Sequence, residues 1–145
     1  MSTTDERIAL WLKQANLSPE TIVEFLSGDA SDRRFARIAP PKAQTSILVV
    51  HNDSIDATQL PMLQVTDLFR KLPVNVPKTQ GVVPELGIVE LEDLGDTTLE
   101  SAVLNGTTKQ RTSYYQEAVN IIGAIQRGTQ QSGTTDNIAF NVALD

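Results

Sequence analysis

The sequence predicts an α+β fold in which the strands of an antiparallel sheet come before most of the helices along the chain. Short apolar runs with alternating or β-branched character dominate residues 21–51, which favours strands. Apolar residues at helical spacing dominate residues 99–127, which favours helices. Because strands precede helices instead of alternating with them, the sheet is expected to be antiparallel.

The first third of the chain is predicted to contain one helix and a meander. An amphipathic helix is expected over residues 3–15, where Ile8 and Leu12 share one face. Three segments have the composition or alternation of strands: 21–27, 33–38 and 45–51. For the first of these, a helix capped by Ser18 is the alternative, although its β-branched residues favour a strand.

The rest of the chain is predicted to be mainly helical. Helices are expected over three segments with apolar residues at helical spacing: 57–72, 97–106 and 108–127. A strand is predicted over 87–93, and Pro73 and Pro77 bracket a segment expected to be extended. Residues 128–137 are rich in Gly, Thr, Ser and Gln and are expected to form a loop.

The composition argues against several classes of partner. The net charge is −6 and the pI is near 4.7, whereas nucleic-acid and anionic-membrane binding favour a basic surface. No apolar run approaches the ~20 residues that a membrane span needs, and the N-terminus lacks the pattern of a secretory signal. We therefore expect a cytoplasmic protein with no nucleic-acid and no membrane partner.

The same composition limits the chemistry. Without cysteine, the chain holds no disulfide and no thiolate metal site. His51 is the single histidine, so a multi-histidine metal site is excluded, and any Ser-His-Asp arrangement would have to use it. No metal ligand is assigned from the sequence.

The stretch "SGDASDRRFARI", residues 27–38, is the candidate anion-binding segment. Four short residues are expected to form the turn between the first two strands: Gly28, Asp29, Ala30 and Ser31. Glycine permits close approach of the backbone there, and consecutive N–H groups can form an anion nest. Arg33 and Arg34 follow and point to opposite faces, so only one of them faces the anion, with Arg33 preferred. The alternative is an ordinary charged hairpin.

Three stretches carry a resemblance to a known family. "SGDASDRRFARI" resembles the phosphate-loop segment of the aminoglycoside phosphotransferase family of kinase-like enzymes. "VNVPK", 74–78, is similar to the segment after the first-lobe helix of that family, and "IVELEDLGDTTL", 88–99, to the strand and linker between its lobes. The likeness is nearest to the anomeric N-acetylmuramate/N-acetylglucosamine kinases, and it extends from about residue 5 to residue 145 with the three stretches in the family's order.

The resemblance implies a protein-kinase-like N-terminal lobe over 1–93, with a linker and the truncated start of a helical C-terminal lobe over 94–145. It implies ATP and Mg²⁺ as cofactors and an amino sugar as the substrate of the full enzyme. Besides the loop and its arginines, it implies nucleotide binding at the linker residues Glu92, Asp93 and Leu94. In the family, the linker backbone meets the adenine edge through a C=O near Glu92 and an N–H near Leu94. The alternative for these residues is an exposed acidic turn.

The departures from the family pattern are equally specific. The family's catalytic loop is not found: the single histidine, His51, is followed by Asn52 and Asp53 and so matches His-x-Asp, but it lies in the predicted third strand, far ahead of where a catalytic loop would be. The chain therefore resembles the N-terminal part of a longer enzyme, expected to be inactive alone, and no catalytic residue is assigned. It also lacks the third-strand lysine of kinases, so Arg33 or Arg34 would have to replace that cation.

Whether the chain is itself an enzyme stays open at this point. The alternative to the phosphotransferase fragment is a non-catalytic, kinase-like module that binds a nucleotide or a partner.

Overall fold

The computed structural model describes residues 3–27 and 33–132 of the chain. Within that part, the protein is α+β, with one open five-stranded antiparallel sheet and four α-helices. Two compact units are distinguished along the chain. The first comprises Met1–Ala57 and Pro77–Asp93 and contains the sheet, and the second comprises Thr58–Val76 and Leu94–Asp145.

The sheet confirms the predicted meander and adds two strands to it. Its members are β1 (Ile22–Leu26), β2 (Arg34–Ala39), β3 (Ser46–Val50), β4 (Thr79–Val83) and β5 (Ile88–Glu92). Neighbouring strands pair antiparallel in the spatial order β1-β2-β3-β5-β4. The fifth strand thus lies inside the sheet, and the first segment is a strand rather than the alternative helix.

Helix α1 (Thr4–Gln14) covers one face of this sheet. It begins at a capping box in which Glu6 N–H donates to Thr3 Oγ1 at 3.2 Å and Thr3 N–H donates to Glu6 Oε2 at 2.8 Å. Ile8 and Trp11 of this helix are buried against one side of the sheet, here called the α1 face. The strand residues of the α1 face that form the core with them are Val23, Ala36, Ile38, Leu48, Val50 and Ile88.

The opposite side of the sheet, here called the second face, is also largely apolar. Because side chains alternate along a strand, the register places these residues on it: Phe35, Arg37, Ile47, Val49, Val89 and Leu91. Val49 and Val89 are fully buried. Arg37 is the charged member of this set, and it pairs with Asp93.

A tight turn before β5 ties together three elements of the sheet unit. A 3₁₀ turn over Pro84–Leu86 ends at Gly87, which has φ 63° and ψ 33°. Gly87 C=O accepts from His51 N–H at 2.8 Å, which joins the ends of β3 and β5. Arg7 of α1 donates from Nη1 to Leu86 C=O at 3.0 Å. The helix and two strands therefore converge on this turn.

The second unit contains three helices: α2 (Pro61–Arg70), α3 (Leu99–Asn105) and α4 (Thr108–Ser132). Helix α2 begins at Pro61, four residues later than the predicted 57–72. Proline inside a helix removes a backbone hydrogen bond, whereas in the first turn its missing N–H has no helical partner to lose. Helix α3 lies within the predicted 97–106 and is capped by Thr98, whose hydroxyl accepts from Ser101 N–H at 3.1 Å.

The structure departs from the predictions at two places. The segment between Pro73 and Pro77, expected to be extended, is not part of a strand, and the fourth strand begins after it, at Thr79. Helix α4 continues to Ser132, so the predicted loop at 128–137 is helical over its first five residues.

One of the additional residues of α4, Gly128, packs closely inside the second unit. Gly128 lies directly beneath Leu72, where a Cβ would collide with the leucine methyls, so this glycine permits close approach. The described apolar residues of α4 do not form a single side, since Ala124 is buried whereas Tyr115, Val119 and Ile122 are exposed. Among the helices of the described residues, none has the length and apolar character to cross a membrane.

Candidate functional site

The predicted loop is only partly placed by the structure. Gly28, Asp29, Ala30 and Ser31 lie outside the described residues. Arg33 directly precedes β2, and Arg34 begins that strand opposite Val50, so Arg34 belongs to the α1 face. Both arginine side chains are exposed.

His51 lies directly after β3, and its pKa responds to burial and to the charges of nearby arginines. Burial, and then the positive charges of Arg33 and Arg7, lower the pKa of His51. His51 is therefore neutral at neutral pH, and its Nε2 is buried without a hydrogen-bond partner in the part of the chain that is described. The exposed positive charge near the end of β3 is accordingly that of Arg33, and the histidine carries none at neutral pH.

The linker residues leave the sheet at the end of β5. Glu92 N–H donates to Lys78 C=O at 2.8 Å, and Glu92 Oε2 accepts from Lys78 N–H at 3.1 Å. These two bonds hold the last residue of β5 against the start of β4. Leu94 is 68% exposed, and Gly95 follows with φ 78°, a conformation that favours glycine.

Asp93 is held by an arginine that sequence reasoning did not connect with it. Arg37 Nε lies 2.7 Å from Asp93 Oδ2, and Arg37 Nη2 donates to Asp93 Oδ1 at 3.1 Å. The two side chains are only 15% and 6% exposed. This is a two-pronged, charge-assisted pair, the geometry in which a guanidinium fixes both position and orientation of a carboxylate.

The register explains how the two residues meet. Arg37 on β2 lies opposite Ile47 on β3, and Ile47 lies opposite Leu91 on β5. Asp93 is two residues beyond Leu91, and so returns to the same face. The arginine therefore reaches across the central strand to the first residue after β5. No local signal in the sequence links two residues so far apart, because the contact depends on β5 pairing with β3.

Thr79 completes this row of side chains. It lies opposite Leu91 on the edge strand β4, and its Oγ1 is buried without a hydrogen-bond partner among the described residues. The row that runs across the second face beside the linker is thus Arg37, Ile47, Leu91 and Thr79. It combines an apolar centre with polar ends.

The structure brings some of the predicted site residues together and leaves others separate. Glu92, Asp93 and Leu94 are consecutive at the end of β5, and Arg33 lies beside His51 at the end of β3. Since β3 and β5 are antiparallel neighbours, these two groups mark opposite ends of the sheet. Within residues 3–27 and 33–132, no three His, Asp or Glu side chains lie close enough together to hold a metal ion.

Comparison with known proteins gives no match: no family model, no curated protein and no solved structure is similar to this chain.

Proposed function

We propose that the chain is the N-terminal, ATP-binding part of a cytoplasmic sugar phosphotransferase of the aminoglycoside phosphotransferase family. The complete enzyme would transfer the γ-phosphate of ATP to a hydroxyl of an amino sugar with the help of Mg²⁺. Catalysis in such enzymes depends on positioning and on neutralisation of phosphate charge. The residues that would supply the base and hold the metal are not assigned in this chain.

The order of elements is the observation that carries the proposal. Three antiparallel strands, a helix, two further strands and a linker follow one another, which is the order of a small kinase lobe. The linker directly follows β5, a strand inside the sheet, so its backbone begins beside the buried side chains of the second face. The three resembling stretches fall at β2, before β4 and at β5, which supports the same conclusion.

The charges support Arg33 as the phosphate ligand in this proposal. Arg34 belongs to the α1 face, where the core is apolar, whereas Arg33 lies beside the neutral His51 at the end of β3. Kinases place a lysine on that strand to hold the phosphates. A guanidinium from the neighbouring strand provides the equivalent charge with a fork that fits two phosphate oxygens.

Nucleotide titration of single-arginine variants tests the assignment. We expect Arg33→Ala to weaken Mg·ATP binding about tenfold, the lower range for a hydrogen bond to a charged group. Arg34→Ala is expected to bind like the wild type, and Arg70→Ala, which removes an exposed arginine of α2, is the matched control. Equal affinity of wild type and Arg33→Ala would refute the phosphate assignment.

An activity assay tests the fragment interpretation separately. We expect no ATP-dependent phosphorylation of N-acetylmuramate by the 145-residue chain, because its one His-x-Asp sequence, which begins at His51, directly follows β3 and is not a catalytic loop of a helical lobe. Robust turnover by the purified chain would contradict this expectation.

A non-catalytic module that binds a partner is the second candidate. The exposed apolar side chains of Tyr115, Val119 and Ile122 on α4 favour it, because exposed apolar patches mark interaction surfaces or aggregation sites. A chain that forms a defined complex through α4 and fails to bind Mg·ATP would favour this candidate over the first.

A further inference from the structure

The ion pair between Arg37 and Asp93, directly after β5, is largely buried. Both charges are largely removed from water, and this desolvation costs free energy that only good hydrogen-bond geometry offsets. A buried ion pair is therefore weak evidence for stability and invites a search for another role. An exposed pair elsewhere in the chain, Arg70–Asp67 on α2, shows the contrast: its atoms are 3.4 Å apart and its side chains are 42% and 68% exposed. Such surface pairs contribute little.

We propose that Arg37 is a positioning residue that sets the base specificity of the nucleotide site. By clamping the Asp93 carboxylate across β3, it fixes the backbone between Glu92 and Leu94, the two residues whose C=O and N–H would meet the base. This inference rests on the proposed function, in which the linker binds the nucleotide, and it names a residue outside the linker as the origin of selectivity.

The chemistry of the bases shows why a fixed linker selects. Adenine presents an amino donor beside a ring acceptor, whereas guanine presents a carbonyl acceptor at the same position. A backbone C=O held toward the base accepts from the adenine amino group but faces the guanine carbonyl, which leaves two acceptors opposed. Guanine is rejected only if the linker backbone cannot rotate and present an N–H to the guanine carbonyl. A fixed C=O therefore supplies the repulsive contact on which specificity against the wrong base depends.

Three features make Arg37 suited to prevent that rotation. Its fork holds both carboxylate oxygens, at 2.7 and 3.1 Å, which fixes the plane of the carboxylate as well as its position. Asp93 lies between Glu92 and Leu94, so the clamp acts on the middle of the three residues. Lys78 holds Glu92 from the other side through two hydrogen bonds, which leaves little freedom at the strand end.

Base-selective binding measurements test the proposal. Arg37→Lys keeps the positive charge but loses the fork, and Arg70→Lys makes the same change in the exposed pair as a matched control. The affinities of wild type and both variants are measured for Mg·ATP, Mg·GTP and inorganic tripolyphosphate, which lacks the base. Hydrogen exchange at the amides of 92–95 is followed in the same samples.

We expect Arg37→Lys to weaken ATP binding roughly 2- to 30-fold, the range for substitutions that act on a site through packed neighbours. The preference for ATP over GTP should fall by a similar factor, and the affinity for tripolyphosphate should be unchanged. The linker amides of the variant should exchange faster than those of the wild type, while amides of the core keep their rates. Arg70→Lys should match the wild type. A purely stabilising role would leave the ATP-to-GTP preference unmoved.

The contrary outcomes are distinguishable. If the wild type binds ATP and Arg37→Lys keeps the full preference for ATP over GTP, the positioning role is overturned while the proposed function stands. If tripolyphosphate binding weakens in parallel with ATP, Arg37 acts on the phosphates and the inference is likewise overturned. If the wild type binds no nucleotide, the proposed function fails and the inference with it. Should Arg37→Lys fail to fold, Asp93→Asn, which keeps the shape but removes the charge, is measured by the same criteria.

Discussion

Replacement of Gly87 by alanine tests how far the turn before β5 determines the sheet unit. Gly87 has φ 63°, in the left-handed region where an L-residue is strained. A Cβ built at this position overlaps the backbone C=O of Asp53 and lies 3.0 Å from Arg7 Nη1. Because the first of these atoms is backbone and not a flexible side chain, the chain after β3 has to move.

Two costs determine the size of the effect. The left-handed conformation costs an alanine roughly 1–2 kcal/mol, and forcing an extra methyl into a packed site costs about 1–3 kcal/mol. The displacement also strains the bond from His51 N–H to Gly87 C=O and the bond from Arg7 to Leu86. We expect a loss of about 2–5 kcal/mol in the free energy of unfolding, a large share of the ~5–15 kcal/mol of an ordinary domain.

Chemical denaturation followed by tryptophan fluorescence measures this loss. Trp11 is the single tryptophan and is buried in the core of the sheet unit, so it reports on that unit directly. Asn16→Ala is the matched control, because Asn16 has φ 52° and is exposed, so alanine there meets backbone strain at an exposed position. If Gly87→Ala costs no more than Asn16→Ala, the steric part of the reasoning is refuted.

Three further changes have defined expectations. Thr79→Val should raise the free energy of unfolding by about 1 kcal/mol, measured by denaturation, because the Thr79 hydroxyl is buried without a partner among the described residues; a loss would reveal a partner for that hydroxyl. Gly123→Ala should stabilise α4 by about 0.5–1 kcal/mol in thermal melts, since the new methyl meets only the flexible end of Arg127; destabilisation would contradict the packing of α4. The lowered pKa of His51 means that the unfolded chain binds a proton more readily, so stability should fall as the pH drops below the ordinary value of 6.5. Denaturation midpoints at about pH 8 and about pH 5 should differ less in His51→Gln than in the wild type, and equal differences would count against the burial of His51.

Local periodicity was sufficient to predict the centre of the sheet. β2 alternates and β3 is continuously apolar after Ser46, and both lie within the predicted strands at 33–38 and 45–51 to within one residue. The start of α1 was also predictable, because residues 3–15 combine a polar first turn with apolar residues at helical spacing. These elements carry their own signals, so tertiary context did not override them.

The fourth strand lacked such a signal. β4 contains Gln80 and Gly81, and its pairing with β5 shifts register between Thr79 and Gly81, so it shows no clean alternation. Its stability comes from its neighbour β5. Similarly, α4 extends to Ser132 through a segment rich in Gly, Thr, Ser and Gln, where Gly128 packs against Leu72, and composition alone cannot indicate such a contact.

The candidate site was predictable as segments but not as contacts. The sequence indicated Asp93 as part of the linker, and Arg37 falls in the predicted strand at 33–38. Their pairing requires the spatial order in which β5 lies next to β3, and that order is a property of the whole sheet. Alternation indicated only that one of Arg33 and Arg34 would face the anion, and the position of Arg33 near His51 supports the preference for Arg33.

Chemical-shift mapping with Mg·ATP on the isotopically labelled chain is the most direct test of nucleotide binding at the proposed site. We expect saturable changes that concentrate at the amides of residues 92–95 and at Arg33 and His51, while the amides of α1 stay unchanged. Saturable changes confined to other residues, or no change at about 1 mM nucleotide, the upper range of ordinary substrate constants, would contradict the proposal.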